Sequence, residues 1–286
     1  MLKTTANNLF RRLEQLNGIG AALSRERDIE RLLENILEAA KALTGADGGT
    51  LYRVTDDQAA LRFEIMRTDS LGIRQGGTTG QRIHLPELPL RRADGSPNDA
   101  LVAAYAAIHD RTVNIADAYA EEGFDFSGTR AFDQRTGYRS QSFLTVPMKN
   151  HDGELIGVLQ LLNALDPATG EVVHFSEADQ SLTESLSSQA AIALSNRLLI
   201  TQLERLFESF VKLINVAIDE KSPYTGGHCE RVPELTMMLA EAADATTTGP
   251  LADFRMTERD RYELQMAGLL HDCGKITTPV HVVDKA

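Results

Sequence analysis

The chain is 286 residues long, and its 41 Asp and Glu outnumber 29 Lys and Arg to give a formal net charge of -12. Two domains are the natural expectation at this length, and the acidic balance argues against a duplex nucleic-acid surface while leaving room for a basic pocket that holds a small phosphate ligand. With two cysteines, no secretory leader and no long apolar run, the sequence predicts a cytoplasmic protein with no disulfide and no membrane partner.

Taken in order, residues 1–27 hold an N-terminal helix with Leu9, Phe10, Leu13 and Leu16 on one face. Gly18-Ile19-Gly20 is read as its break, because a lone Gly-x-Gly that does not follow a strand is a weak dinucleotide signal. From Asp28, the spacing of Ile29, Leu32, Leu33, Ile36, Leu37, Ala40 and Leu43 predicts a core-facing helix closed by Gly45. Residues 49–54 and 61–66 read as strands joined by the turn Thr55-Asp56-Asp57-Gln58, and residues 72–85 as another strand pair or a strand with a Gly-rich turn at Gly76-Gly77. Residues 98–111 read as a helix, 112–115 as a short strand, and 118–137 as a polar, acidic, irregular segment. Strands resume over 142–148 and 155–162, around the turn His151-Asp152-Gly153. The sum is an α+β domain built on one antiparallel sheet with flanking helices.

Residues 177–221 then read as one long helix. Ser176 and Asp179 stand at capping-box spacing, and no Pro or Gly interrupts the run until Pro223. Leu182, Leu186, Gln189, Ala193, Asn196, Ile200, Leu203, Phe207, Phe210, Ile214 and Ala217 alternate at spacings of four and three, a heptad seam. A helix of about 65 Å is longer than one compact core needs. The seam predicts a parallel homodimer joined along it, with Gln189 and Asn196 fixing the register.

Phe132-Asp133-Gln134-Arg135-Thr136-Gly137-Tyr138-Arg139-Ser140, followed by Ser142-Phe143-Leu144-Thr145-Val146-Pro147-Met148 and Gly157-Val158-Leu159-Gln160-Leu161-Leu162-Asn163, resembles a GAF domain. The likeness covers residues 28–197 and is nearest to the GAF type of cyclic-nucleotide phosphodiesterases. It implies a sensor that binds a small molecule. The scattered motif of cyclic-nucleotide-binding members maps onto Asn163, Phe175 and Asp179, which the resemblance makes candidate ligand residues. Its Lys position is Ala164 and its last Glu is Gln180, so the Lys-to-Asp ion pair that would brace a ligand lid is missing. A cyclic nucleotide, another small ligand and use as a dimerisation module remain the alternatives. Core anchoring by Phe175 and helix N-terminal charge from Asp179 are their structural counterparts.

Two runs follow the long helix, and the second invites metal chemistry, although His271-Asp272 taken alone fits a helix cap or an ordinary ion pair better. The first is Lys221-Ser222-Pro223-Tyr224-Thr225-Gly226-Gly227-His228-Cys229-Glu230-Arg231-Val232, and the second is His271-Asp272-Cys273-Gly274-Lys275-Ile276. Imidazole and carboxylate suit divalent ions such as Fe, Mn and Zn, and a carboxylate bridging two ions serves phosphodiester hydrolysis. Lys275, one turn past His271, is placed to meet a phosphate. Together these runs resemble the first part of an HD-GYP domain, the helical metal-dependent phosphodiesterase class. The resemblance implies His228, His271 and Asp272 as metal ligands, Asp272 and Lys275 as catalytic residues, and cyclic-di-GMP hydrolysis by the intact protein. Val280 stands where the family usually has Asp. The later histidines and the Gly-Tyr-Pro loop would fall past residue 286, so residues 222–286 are read as the N-terminal part of that domain, with an incomplete site. A catalytically incomplete sensor, or an HD phosphohydrolase for another nucleotide, is the competing reading. His84, His109, His151, His174 and His281 are read as structural or solvent-facing, and Cys229 and Cys273 as buried small apolar residues.

Overall fold

The computed structural model describes residues 2–221, 227–279 and 282. Helix α1 (Leu2–Leu23) runs through Gly18 and Gly20 without a break. The expected break does not occur because Gly20 lies against the later long helix, where an added Cβ would overlap the Gln189 amide. The glycine allows close approach of two helices instead of ending one. Leu16 and Leu23 are buried in the core on this side.

Helix α2 (Ile29–Thr44) forms as its sequence predicts. Asp28 caps it by accepting from the Arg31 N–H at 2.8 Å, and Gly45 closes it with φ 68°, a left-handed conformation that favours glycine. Strands β1 (Ala46–Val54), β2 (Ala60–Thr68), β3 (Ile73–Gly76) and β4 (Leu88–Pro89) follow, then α3 (Val102–His109), β5 (Val113–Ile115), α4 (Ser127–Thr136), β6 (Phe143–Lys149), β7 (Leu155–Leu165) and β8 (Val172–Val173). Among the described residues these strands form one antiparallel sheet in the order β3-β2-β1-β7-β6-β5, with β4 on β2 and β8 on β7.

Of the two readings of residues 72–85, the structure has the single strand with a Gly-rich turn: β3 runs into a 3-10 turn (Gly77–Thr79), because Gly76 and Gly77 take positive φ and the Glu34 carboxylate draws in both the N–H and hydroxyl of Thr78. One expectation is corrected here. The segment 118–137 is not wholly irregular, since it contains α4. That helix ends at Gly137, φ 72°, and is held by its own buried Asp133, which accepts from Ser140, rather than by an apolar face.

Strand alternation gives the sheet two different faces. Leu51, Leu144, Val146, Leu159 and Leu161 meet Leu32, Ile36 and Leu37 of α2 and Leu182, Leu186, Ala190 and Leu194 of the long helix in one core. The opposite face carries Tyr52, Leu61 and Val158 under Ala103 and Ala107 of α3, and Phe143 beside Val102 and Phe126. A bulge makes this partition work on β2. Leu51 pairs with Ile65 and Tyr52 with Phe63, which leaves Glu64 unmatched and puts Phe63 and Ile65 on opposite faces.

Helix α5 (Glu177–Lys221) is continuous for 45 residues. Its capping box is present: Ser176 Oγ accepts from the Asp179 N–H at 3.2 Å, and the Asp179 carboxylate accepts from the Ser176 N–H at 3.1 Å. The chain divides into two units, Met1–Leu199 and Ile200–Ala286, and α5 contributes to both. Its seam divides as well. Leu182, Leu186 and Ala193 are buried in the first unit, whereas Ile200, Leu203, Phe207 and Phe210 are exposed. In the second unit, α6 (His228–Asp244), a 3-10 turn (Gly249–Leu251), α7 (Glu258–Leu270) and a 3-10 turn (Cys273–Ile276) follow. Val211 of α5 packs with Met266 and Leu269 of α7. Gly268 allows α7 to meet Pro233 of α6, whose Cα would lie 3.0 Å from an added Cβ. No helix among the described residues is long and apolar enough to cross a membrane.

Candidate functional site

His228 begins α6, and His271 and Asp272 follow the end of α7. The packing of Pro233 against Gly268 joins these two helices, so side chains 43 residues apart meet. His228 Nε2 lies 3.1 Å from His271 Nε2, and Asp272 Oδ2 lies 3.5 Å from the former and 3.1 Å from the latter. The set suits a divalent ion: metal bonds of about 2.1 Å at angles between 90° and 110° separate neighbouring donors by about 3.0–3.4 Å. His271 Nδ1–H donates to the Gly268 carbonyl at 2.7 Å, which leaves Nε2 as the lone-pair nitrogen of the neutral ring. The cluster is therefore a possible His/Asp metal-binding group.

Lys275 sits one turn on, with Nζ donating to Asp272 Oδ2 at 2.6 Å. Burial pushes the Asp272 carboxyl up, but the Lys275 hydrogen bond, the facing His271 ring, the Lys275 ammonium and the His228 ring outweigh it and hold the group below its ordinary value. Asp272 is thus an anion over the working pH range, as a ligand must be. Cys229 is buried as expected, but Cys273 is exposed, because it starts the surface 3-10 turn rather than a packed helix. The lead-in residues Ser222, Pro223, Tyr224, Thr225 and Gly226, together with Val280 and His281, lie outside the described residues.

The first unit holds a cavity of about 450 Å³ on the sheet face opposite α2 and α5. Tyr52, Phe63, Phe126, Phe132 and Phe143 give it aromatic walls, and Arg135 and Tyr138 also line it. Polar groups on the sheet are fixed by one another: Tyr52 donates to Gln160 Oε1 at 3.1 Å, and Gln160 Nε2 donates to Thr145 at 3.0 Å. Burial raises the Tyr52 hydroxyl well above its ordinary range. Tyr138 is raised too, by burial and then by its 2.6 Å bond to Asp47. Asp133 secures the α4 side of the cavity by accepting from the Ser140 N–H and hydroxyl and from Tyr119, each at 2.8 Å.

Asn163, Phe175 and Asp179 are not among the residues that line this cavity. Asn163, at φ 53°, accepts from the Gln141 and Ser142 N–H groups and donates to the Arg139 carbonyl, which pins β7 to the approach of β6. Phe175 is fully buried in the core that α2 and α5 share. Asp179 caps α5 and pairs with Arg12 at 2.9 Å. Arg135 and Tyr138, which line the cavity, are not singled out by the sequence reading, although both lie within the segment that carries the GAF resemblance. Among the other histidines, His109 pairs with Asp99 at 2.7 Å and His151 with Asp152 at 3.2 Å.

The architecture is that of a sheet-based sensor domain followed by a helical unit with a His/Asp cluster. A GAF domain model matches residues 28–194 and an HD domain model matches residues 225–285, so the chain belongs to the GAF domain family and carries an HD domain after it. It is 34% identical over 118 residues to the dual 3',5'-cyclic-AMP and -GMP phosphodiesterase 11A of Takifugu rubripes, a stretch that covers 41% of this chain and only 12% of that relative. It is similar to the GAF domain from a phosphoenolpyruvate-protein phosphotransferase of Coxiella burnetii, with TM-score 0.51, 16% identity, and 68% and 99% of the two chains covered. The corresponding Acinetobacter GAF domain gives TM-score 0.48 at 16% identity, covering 67% and 98%.

Proposed function

We propose that this chain is the sensory and metal-binding part of a signal-regulated phosphodiesterase of the HD-GYP type, which hydrolyses cyclic-di-GMP. The observation that carries this reading is the convergence of His228, His271 and Asp272 from two helices onto one point, with Lys275 beside it. Bound divalent ions such as Fe or Mn would supply an activated water and charge stabilisation for a leaving oxygen. The protein's own groups do the rest. His271 is held in the correct tautomer by Gly268, Asp272 stays ionised, and the Lys275 ammonium offers a cation to a phosphate oxygen. The lead-in motif before His228 and the residues around His271 support the cyclic-dinucleotide class. Three donors hold one ion, and a two-ion centre draws on further ligands.

In the GAF domain, the aromatic cavity with Arg135 in its lining suits a planar base joined to an anionic group, which supports a nucleotide-like signal. We place the ligand in this cavity and give Asn163, Phe175 and Asp179 roles that hold its frame. The exposed apolar row on α5 supports a parallel homodimer that transmits the signal.

The test uses the protein that carries this chain, incubated with cyclic-di-GMP and Mn²⁺ or Fe²⁺, with products separated by chromatography. Linear dinucleotide or GMP should form, and Asp272→Ala should abolish it. Equal turnover in the variant would sink the assignment of the centre. No turnover with any tested metal would favour the second reading, a sensory dimer without hydrolytic activity, to which the small size of the donor cluster lends support.

A further inference from the structure

The backbone itself carries Lys275 to the metal cluster. Its N–H donates to the Asp272 carbonyl at 2.8 Å, which closes the 3-10 turn (Cys273–Ile276) and sets the lysine one turn beyond the aspartate. The ammonium then donates to Asp272 Oδ2 at 2.6 Å. With the carboxylate side chain only 16% exposed, this is a short, charge-assisted bond to a mostly buried anion.

The oxygen that accepts this bond is also the one that the two histidines face. His271 Nε2 lies 3.1 Å and His228 Nε2 3.5 Å from Asp272 Oδ2, which makes this oxygen the third donor of the cluster. An ion at about 2.1 Å from it and the ammonium at 2.6 Å, set about 120° apart on its lone pairs, would stand about 4 Å from each other. At that separation, the repulsion between a doubly charged ion and an ammonium is several times thermal energy, even near a protein surface. One oxygen therefore does not hold both at full strength. The ammonium is the partner that can leave, since it ends a flexible four-carbon stem and its side chain is 32% exposed.

We propose that Lys275 is a built-in competitor of the metal: its ammonium and the divalent ion hold Asp272 Oδ2 in alternation, and ion binding frees Lys275 to meet a phosphate. This rests on the metal-centre reading above and adds to it an order of events, ion first and phosphate second. The lysine then weakens ion affinity. A residue that merely braced the site would strengthen it.

The test follows free Mn²⁺ by electron paramagnetic resonance as the 286-residue chain and three variants are titrated. Lys275→Met and Lys275→Gln remove the charge, and each should lower the Kd for Mn²⁺ by about tenfold or more. Lys275→Arg keeps the charge and should stay within about threefold of the unmodified chain. Two uncharged variants guard against one that folds poorly, and a damaged site binds more weakly, never more tightly. Equal or weaker binding in both, with native circular dichroism, would overturn the competition while leaving the metal centre standing. Equally tightened binding in Lys275→Arg would show that charge is not the cause and would overturn it too. No depletion of free Mn²⁺ by any of the four proteins would overturn the metal centre, and this proposal with it.

Discussion

Asp133→Ala is the most informative single change in the sensor domain. The carboxylate is 4% exposed and accepts three hydrogen bonds, two from Ser140 and one from Tyr119. Bonds to a charged acceptor contribute about 1.5–3 kcal/mol each. Tyr119 is 39% exposed and can turn to water, so its bond is discounted; Ser140 is 3% exposed and cannot. Taking the two Ser140 bonds at the low end, and allowing for their shared geometry, the loss comes to about 3 kcal/mol. It should be read in urea unfolding as a lower midpoint with unchanged slope. Because Asp133 ties α4 to the segment before β6, amide exchange should accelerate first over residues 127–140. A loss under about 1 kcal/mol, or uniform acceleration across the sheet, would refute the view that this buried carboxylate rather than apolar packing holds α4.

Three further outcomes follow from the same structure. At Gly157 an added Cβ would overlap the Tyr52 carbonyl on the central strand pair, so Gly157→Ala should cost about 1–3 kcal/mol in the same assay. Tyr52 and Tyr138 are raised above their ordinary value, chiefly by burial, so their contribution to stability is present below about pH 10 and is lost as the unfolded chain ionises above it. Stability should therefore fall on going from pH 9 to 11, less steeply in Tyr138→Phe; an equal slope in the variant would count against the assignment. For the proposed α5 dimer, the Leu203→Glu, Phe210→Glu pair should convert dimer to monomer in sedimentation with unchanged helix content, whereas an unaltered sedimentation coefficient would remove that interface.

What the sequence made legible follows the physics of each element. The long helix was readable because Ser176 and Asp179 cap it and nothing breaks it, and the main strands because their apolar runs are bounded by turn residues at Thr55-Asp56-Asp57-Gln58 and His151-Asp152-Gly153. Helix α4 was not readable, since its hold on the fold comes from Asp133 reaching Ser140 and Tyr119 rather than from an apolar stripe. Gly20 looked like a break because its reason, the neighbouring Gln189, is 169 residues away in sequence. At the metal cluster, His271-Asp272 adjacency was visible, but the approach of His228 depends on Pro233 resting on Gly268, which no local pattern shows. The fold of the sensor was likewise clearer than its cavity. Tyr52, Phe126 and Phe143 come together only when strands and loops distant in sequence close over one face.

The central claim is that His228, His271 and Asp272 hold a divalent ion. Electron paramagnetic resonance of free Mn²⁺ during titration of the 286-residue chain measures this directly. The free-ion signal should be depleted with a stoichiometry of one ion per chain, and His271→Ala and Asp272→Asn should each restore it while circular dichroism remains native. Depletion by both variants equal to that of the unmodified chain would contradict the account.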